Sequence, residues 1–418
     1  MRLHGPRRPV SKGCAVAILA MAGFAAPAFS AAAPGVSYVM DDSFRAGLEG
    51  AKASLVQGDL NGAQQRAQAL VGAADQPLEK YAAGQVLLQA AAGRGDMRSQ
   101  RAALNTILDS GEAPPADIGR LRAMAGILSA LLGDRKDAVA QIDYANGQGF
   151  ASVTSQVALA DSRFQRGDAA GGIKALDEAF ALRAKEGKGA AEASWYDRAI
   201  ALAYKAKRFD MVARWTQAKL AAYPTAPNWR SGIVNYITGA SVGPDQSLDL
   251  YRLMAATDAM ASERDWLAYS AVAVQKGTAA EGKAALDTGV KAGDLDPKDA
   301  LVAKELTALK PKAAKALAEI PTLTAKAKTG SGVAILAAAD AQFAAASFPV
   351  ALDLYRAALA KGGIDAGRAK TRLGIALARS GDLPGGKAML ASVTEADWAP
   401  TAGFWNIWID RKILRNPE

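Results

Sequence analysis

The side chains best suited to acid–base, nucleophilic or metal chemistry are nearly missing from this sequence. Its one histidine is His4 and its one cysteine is Cys14, and both fall in an N-terminal segment that reads as a cleavable export signal. Without that segment there is no imidazole and no thiol. Histidine general bases, cysteine nucleophiles, disulfides and zinc sites built on either residue then fall away. Carboxylates remain. A pair such as Glu263 and Asp265 could serve glycoside cleavage, which needs two acids about 5–10 Å apart and no histidine. Asp294, Asp296 and Asp299 cluster at an expected helix start. The twelve-residue calcium loop fails there, because Asp299 stands where the turn glycine belongs. Capping and the helix dipole explain acids at such a place without a metal.

Two stretches, Gly277 to Ala284 and Gly381 to Ala388, nearly spell a phosphate-binding loop. A working loop needs Ser or Thr after its lysine to ligate magnesium, and both have Ala. Neither follows a strand pattern, and a turn glycine plus a close helix approach explains the spacing. No cofactor or metal is expected. From Lys298 to Lys328 seven lysines (298, 304, 310, 312, 315, 326, 328) face three acids. No aromatic residue interleaves, so the stacking half of a single-strand nucleic-acid site is missing. The default is a solvated helix face, with an anionic polysaccharide as the other reading. Aromatic residues gather instead between Trp195 and Tyr269. Trp195, Tyr196, Trp229 and Trp266 are the candidate partner-binding residues, Trp195, Tyr196 and Trp229 lying near expected helix starts, where a repeat protein's groove opens. The competing reading for all of them is packing in the core.

The elements that must position these residues are helices. Half of the 418 residues are apolar but only 6% are aromatic, so the hydrophobic content is small and aliphatic, with alanine foremost, the residue of best helix propensity. Arg2, Arg7, Arg8 and Lys12 precede an apolar run from Cys14 to Ala26, and small residues at Ala28 to Ala31 suit signal cleavage after Ser30. Residues 7–12 loosely resemble a twin-arginine motif, and the ordinary export route needs only the same charge. Removing residues 1–30, with four basic and no acidic side chains, takes the formal charge from +9 to +5. That modest excess does not call for nucleic acid.

Helical stretches break roughly every 36 residues: at the Gly-Asp pairs beginning at Gly58, Gly95, Gly133, Gly167 and Gly381, and less regularly near Lys207, Gly243, Gly277, Lys310 and Ser347. Two antiparallel helices with short turns fill such a period. Apolar residues follow helical spacing between breaks, as in Phe348, Ala351, Leu352, Tyr355, Ala358 and Leu359. Asp296-Pro297 offers an N-cap with proline at the first helical position.

Residues 344–359, with Ala351, Tyr355 and Ala358 at small, aromatic and small positions, resemble the second half of a tetratricopeptide repeat. Leu373-Gly374 and Gly381-Asp382 resemble the first-helix pair and turn of the next unit. The stretch near 227–330 departs from that pattern. The resemblance implies an all-α, right-handed solenoid of about ten antiparallel helix pairs that binds peptides or proteins along its concave face without catalysis. The expected organisation is a signal peptide at 1–30, a linker at 31–44, repeats at 45–226 and 227–400, and a capping helix at 401–418. Phe404 to Ile409 give that last helix a bulky face, suited to covering the final repeat, with a partner-docking patch as the other reading. The expected setting is the periplasm or the exterior, with a protein or peptide partner in the cell envelope. The alternative is an envelope polysaccharide-handling protein, either a glycan-binding export scaffold or a divergent glycan-cleaving enzyme.

Overall fold

The computed structural model describes residues 40–187 and 189–415. The expected signal peptide, with His4 and Cys14, lies outside the described residues. Regular structure among the described residues consists of twenty α-helices and no strand, as the alanine-rich composition implies. The chain divides into two compact units, one ending at Leu182 and one beginning at Arg183.

The first unit holds α1 (Asp42–Val56), α2 (Leu60–Ala73), α3 (Pro77–Gly93), α4 (Met97–Asp109), α5 (Pro115–Leu132), α6 (Arg135–Gly147), α7 (Val153–Gln165) and α8 (Ala169–Lys185), whose last turn crosses the boundary. They form four hairpins joined by one kind of turn. Gly58, Gly95, Gly133 and Gly167 all have φ between 67° and 94°, the left-handed region where a Cβ is penalised. This ends the first helix. The following amide then reaches back five residues, as Asp59 N–H does to the Ser54 carbonyl at 2.9 Å, satisfying a helix-end acceptor. The same aspartate caps the second helix: Asp59 accepts from Gly62 N–H at 2.8 Å, and Asp134 from Asp137 N–H at 3.0 Å. A Gly-Asp pair is thus a complete hairpin instruction. Apolar faces then stack between hairpins, with Phe44, Leu48, Leu88, Leu104, Ile107 and Leu121 in one shared core.

The second unit holds α9 (Ala193–Lys205), α10 (Phe209–Ala222), α11 (Ala226–Gly239), α12 (Pro244–Ala256), α13 (Glu263–Gln275), α14 (Ala279–Ala292), α15 (Ala300–Ala327), α16 (Gly332–Ala344), α17 (Phe348–Lys361), α18 (Ala366–Arg379), α19 (Leu383–Ala391) and α20 (Ala399–Arg415). Its tight turns repeat the geometry of the first unit, but Lys207, Ser241 and Ala346 replace glycine at φ of 55°, 49° and 57°. Arg208 N–H still reaches the Ala203 carbonyl, and Ser347 N–H that of Gln342, both at 2.9 Å. The turn survives without its sequence mark.

One expected break is absent. Lys310 lies inside α15, a continuous helix of 28 residues with Pro311 and Pro321 in its interior. Each proline removes one backbone donor, but both are exposed, so the carbonyls they orphan face water. The described chain therefore has nine hairpins plus two unpaired helices, α15 and α20, in place of ten pairs. α15 also starts later than Asp296-Pro297 suggests: Asp299 is its N-cap, and Asp296 accepts from Lys298 N–H in the preceding turn.

Because helices alternate between layers, the single α15 changes the phase. The even-numbered helices of the second unit face one another: α12 meets α18, and α20 packs against α10, α12 and α18 as well as α19. The unit closes on itself.

Candidate functional site

The closure is built on buried charge. Arg252 of α12 makes a bidentate pair with Glu281 of α14, both contacts 2.6 Å, and a third with Asp249 at 2.5 Å. Arg372 of α18 meets Asp249 at 3.1 Å, Asp245 at 3.1 Å and Asp340 of α16 at 2.8 Å. Arg368 pairs with Asp340, and Lys276 with Asp245 at 2.7 Å. Tyr355 and Tyr269 donate hydroxyl hydrogens to Asp340 and Glu281 at 2.7 and 2.9 Å. The Arg252 guanidinium also lies 4.6 Å from the Phe343 ring centre. Four acids thus meet four bases, and Asp249 and Arg372 are 0% and 3% exposed at their side chains.

Such a cluster is costly to bury unless every charge has a partner. Burial disfavours ionisation of Asp340, Asp245 and Glu281, but the adjacent Arg372, Lys276 and Arg252 outweigh it. All three carboxyls are held below their ordinary values. Burial raises the Tyr269 and Tyr355 hydroxyls well above theirs. These acids stay ionised at neutral pH, which suits ion pairing; a glycosidase's proton donor needs the opposite shift.

α20 seals the cluster. Phe404 and Ile409 are fully buried, and Trp405 nearly so. Trp405 Nε1–H donates to the Asp249 carbonyl at 3.1 Å and Trp408 Nε1–H to the Ala256 carbonyl at 3.3 Å. Gln217 of α10 donates to the Pro400 carbonyl at 2.9 Å, and Phe404 lies against Tyr236 of α11. The bulky face therefore covers the last hairpin, as its sequence suggests, and also fills the inner side of the second unit. The open inner groove expected from the repeat pattern is occupied there by the chain itself.

The candidate aromatic residues do not assemble into a groove. Tyr196, Trp229 and Trp266 are buried, and only Trp195 is half-buried, with the Arg183 guanidinium 5.6 Å from its ring centre. Tyr196, Trp229 and Trp266 each occupy the fourth position of α9, α11 and α13. Their separations of 33 and 37 residues lie close to the repeat period, which is the signal that marks them as core positions. Trp266 donates to Asp294 at 2.9 Å and packs on Gly289. Glu263 and Asp265 are divided in role: Glu263 is exposed, while Asp265 is buried and held by Arg230 at 2.6 and 3.0 Å. Burial works against the Asp265 charge, and Arg230 overrides it to keep the carboxyl low. In the two phosphate-loop look-alikes, Gly282 and Gly386 sit where a Cβ would come within 3.0 Å of the Ser270 carbonyl or 2.8 Å of the Gly374 carbonyl. They are helix-contact glycines.

Two surfaces remain. In the first unit a groove of about 420 Å³ is lined by Asn61, Gln64, Gln65, Gln68, Ala69 and Arg94, and the buried Gln64 Oε1 has no hydrogen-bond partner. In the second, α15 buries only Val302, Leu309, Ala313 and Ala327 and turns most of its lysines to solvent. Among the described residues no group of three or more His, Cys, Asp or Glu is placed to hold a metal, and no helix is long and apolar enough to cross a membrane.

No family model matches the chain, and no curated protein does. Solved structures of helical-repeat proteins do. A tetratricopeptide repeat protein from Parabacteroides merdae is 11% identical over 72% of this chain and 99% of its own, with a TM-score of 0.32. The APC/C hetero-tetramer Cut9–Hcn1 is 11% identical over 89% and 90%, with a TM-score of 0.25. Yeast Tom70 is 10% identical over 90% and 98%, with a TM-score of 0.20. At such scores the assignment rests on the molecule's own helix pairing, with Ala351, Tyr355 and Ala358 fully buried at the positions the repeat requires. The fold is an all-α array of tetratricopeptide-like helix hairpins.

Proposed function

We propose that this chain is an exported, non-catalytic helical-repeat scaffold that binds a protein or peptide partner in the cell envelope. One observation carries the reading: the clustered buried carboxylates of the second unit, Asp249, Asp340 and Glu281, are each locked to arginine, and α20 closes over Asp249. The titratable chemistry of the second unit is spent on joining helices. Binding there falls to outward surfaces. Export is supported by the charged and apolar pattern of residues 2–31.

The test is to express the full chain with a C-terminal tag in its own cell, crosslink, and analyse the envelope fraction. A discrete partner recovered in repeated preparations supports the scaffold. Recovery only from the cytoplasm, or no partner at all, defeats it.

The second reading, polysaccharide handling, draws on the carboxamide groove of Asn61, Gln64, Gln65 and Gln68, since amides pair well with sugar hydroxyls. Glycan fragments in the same crosslinked fraction, lost on Gln68→Ala, would favour it.

A further inference from the structure

α15 is the element that breaks the hairpin pattern, and its outer face is unlike the rest of the array. Lys304, Lys315 and Lys326 stand eleven residues apart, so each step turns only about 20° around the helix and advances roughly 16 Å. They form a nearly straight row opposite the buried Val302, Leu309 and Ala313. Lys315 reaches Glu319 at 3.9 Å, with side chains 79% and 55% exposed, a weak contact. Lys304, Lys310, Lys312, Lys326 and Lys328 have no ion-pair partner among the described residues. Leucines accompany the lysines: Leu301 is 48% and Leu323 36% exposed. Ala308 and Ala318, both exposed, keep the ridge between the lysines low.

We infer that the outer face of α15 docks an acidic amphipathic helix of a partner protein. The inference rests on the scaffold reading and names its surface and partner chemistry. Unpaired lysines ask for an anionic occupant, which excludes the same face of a second copy. The leucines ask for apolar contact, which a plain polyanion lacks. The low alanine ridge lets a second helix lie close, and 28 residues give it about 42 Å to lie along. No tyrosine, tryptophan or phenylalanine lies in α15, so there is no platform for stacking a sugar or base.

The probe is a fluorescent three-heptad peptide of repeating Leu-Glu-Glu-Leu-Ala-Glu-Glu, titrated with the full chain at physiological salt. The comparison probes are a scrambled peptide of the same composition, polyglutamate, alginate, and vesicles of anionic phospholipid. The expected result is binding about 10-fold tighter to the amphipathic peptide than to any of these. The triple change K304E/K315E/K326E should weaken it about 10-fold or more, and L301S/L323S about 3-fold. Melting of the triple variant should be unaltered, because Lys304, Lys315 and Lys326 are exposed. Equal binding of the scrambled peptide, a polyanion or vesicles overturns the inference, as does undiminished binding by the triple variant. If wild type and triple variant crosslink the same partner equally in cells, α15 is not the docking face and the scaffold stands. If neither crosslinks one, the scaffold itself fails.

Discussion

Arg372 holds three acids from two helices, Asp245 and Asp249 on α12 and Asp340 on α16. Replacing it with methionine keeps the stem but leaves the buried cluster one cation short, with only Arg252, Lys276 and Arg368 still holding these acids. Arg372→Met should cost about 3–5 kcal/mol, seen in chemical denaturation as an earlier transition for the second unit alone. The same cluster sets the pH response. Asp245, Asp340 and Glu281 have depressed folded values, so their contribution is complete above the unfolded value near pH ~4 and is lost as the pH falls through the lower folded values. Tyr269 and Tyr355 are raised, so their contribution is complete below about pH 10 and is lost above it. Melting temperature should stay level between those limits and fall outside both; a decline centred near pH 6 would contradict the assignment. None of these partners was legible in sequence. Asp249 and Arg372 are 123 residues apart, and nothing in local spacing pairs them. The buried aromatic series was legible in principle, since Tyr196, Trp229 and Trp266 keep the repeat interval.

At the scale of elements, what sequence reveals depends on whether glycine marks the turn. Gly-Asp at residues 58, 95, 133, 167 and 381 announces both the end of one helix and the cap of the next. Where Lys207, Ser241 or Ala346 adopts the same left-handed φ, the backbone bond back into the first helix persists but no side chain caps the next helix, and the middle of the chain reads as irregular. An alanine in that conformation is strained by roughly 1–2 kcal/mol. Ala346→Gly should therefore stabilise the protein by up to about 1 kcal/mol, the extra freedom of unfolded glycine offsetting the rest; a higher midpoint in urea with unchanged slope would confirm it. Lys310-Pro311 misleads in the other direction. A proline that ends a helix in a buried hairpin is tolerated in α15, where the freed carbonyl meets water.

For the molecule, the second unit depends on α20 being present. A chain stopped before Ala399 would uncover Tyr236 and the Asp249–Arg372 pair and withdraw two indole donors from α12 carbonyls. Burying residues such as Trp405 and Phe404 contributes about 3–5 kcal/mol each. This truncation should split the thermal unfolding, followed by helical circular dichroism, into two transitions, the second unit melting first. The lengths and order of most helices were readable from period and turns. The destination of α20 was not, because a bulky face says that a helix must be covered and not by what.

α20 joins residues 152 to 183 positions earlier in the chain, and it is the last of the described helices. A chain made or threaded from its N-terminus therefore carries α10 and α12 with their inner sides open until α20 has emerged. Closing so long a loop is slow, because its entropy is lost before any contact is gained. Completion of the second unit is thereby tied to the arrival of α20. A copy cut short before α20 leaves apolar surface and normally buried ion pairs exposed, a mark by which proteases can tell it from one that carries the helix.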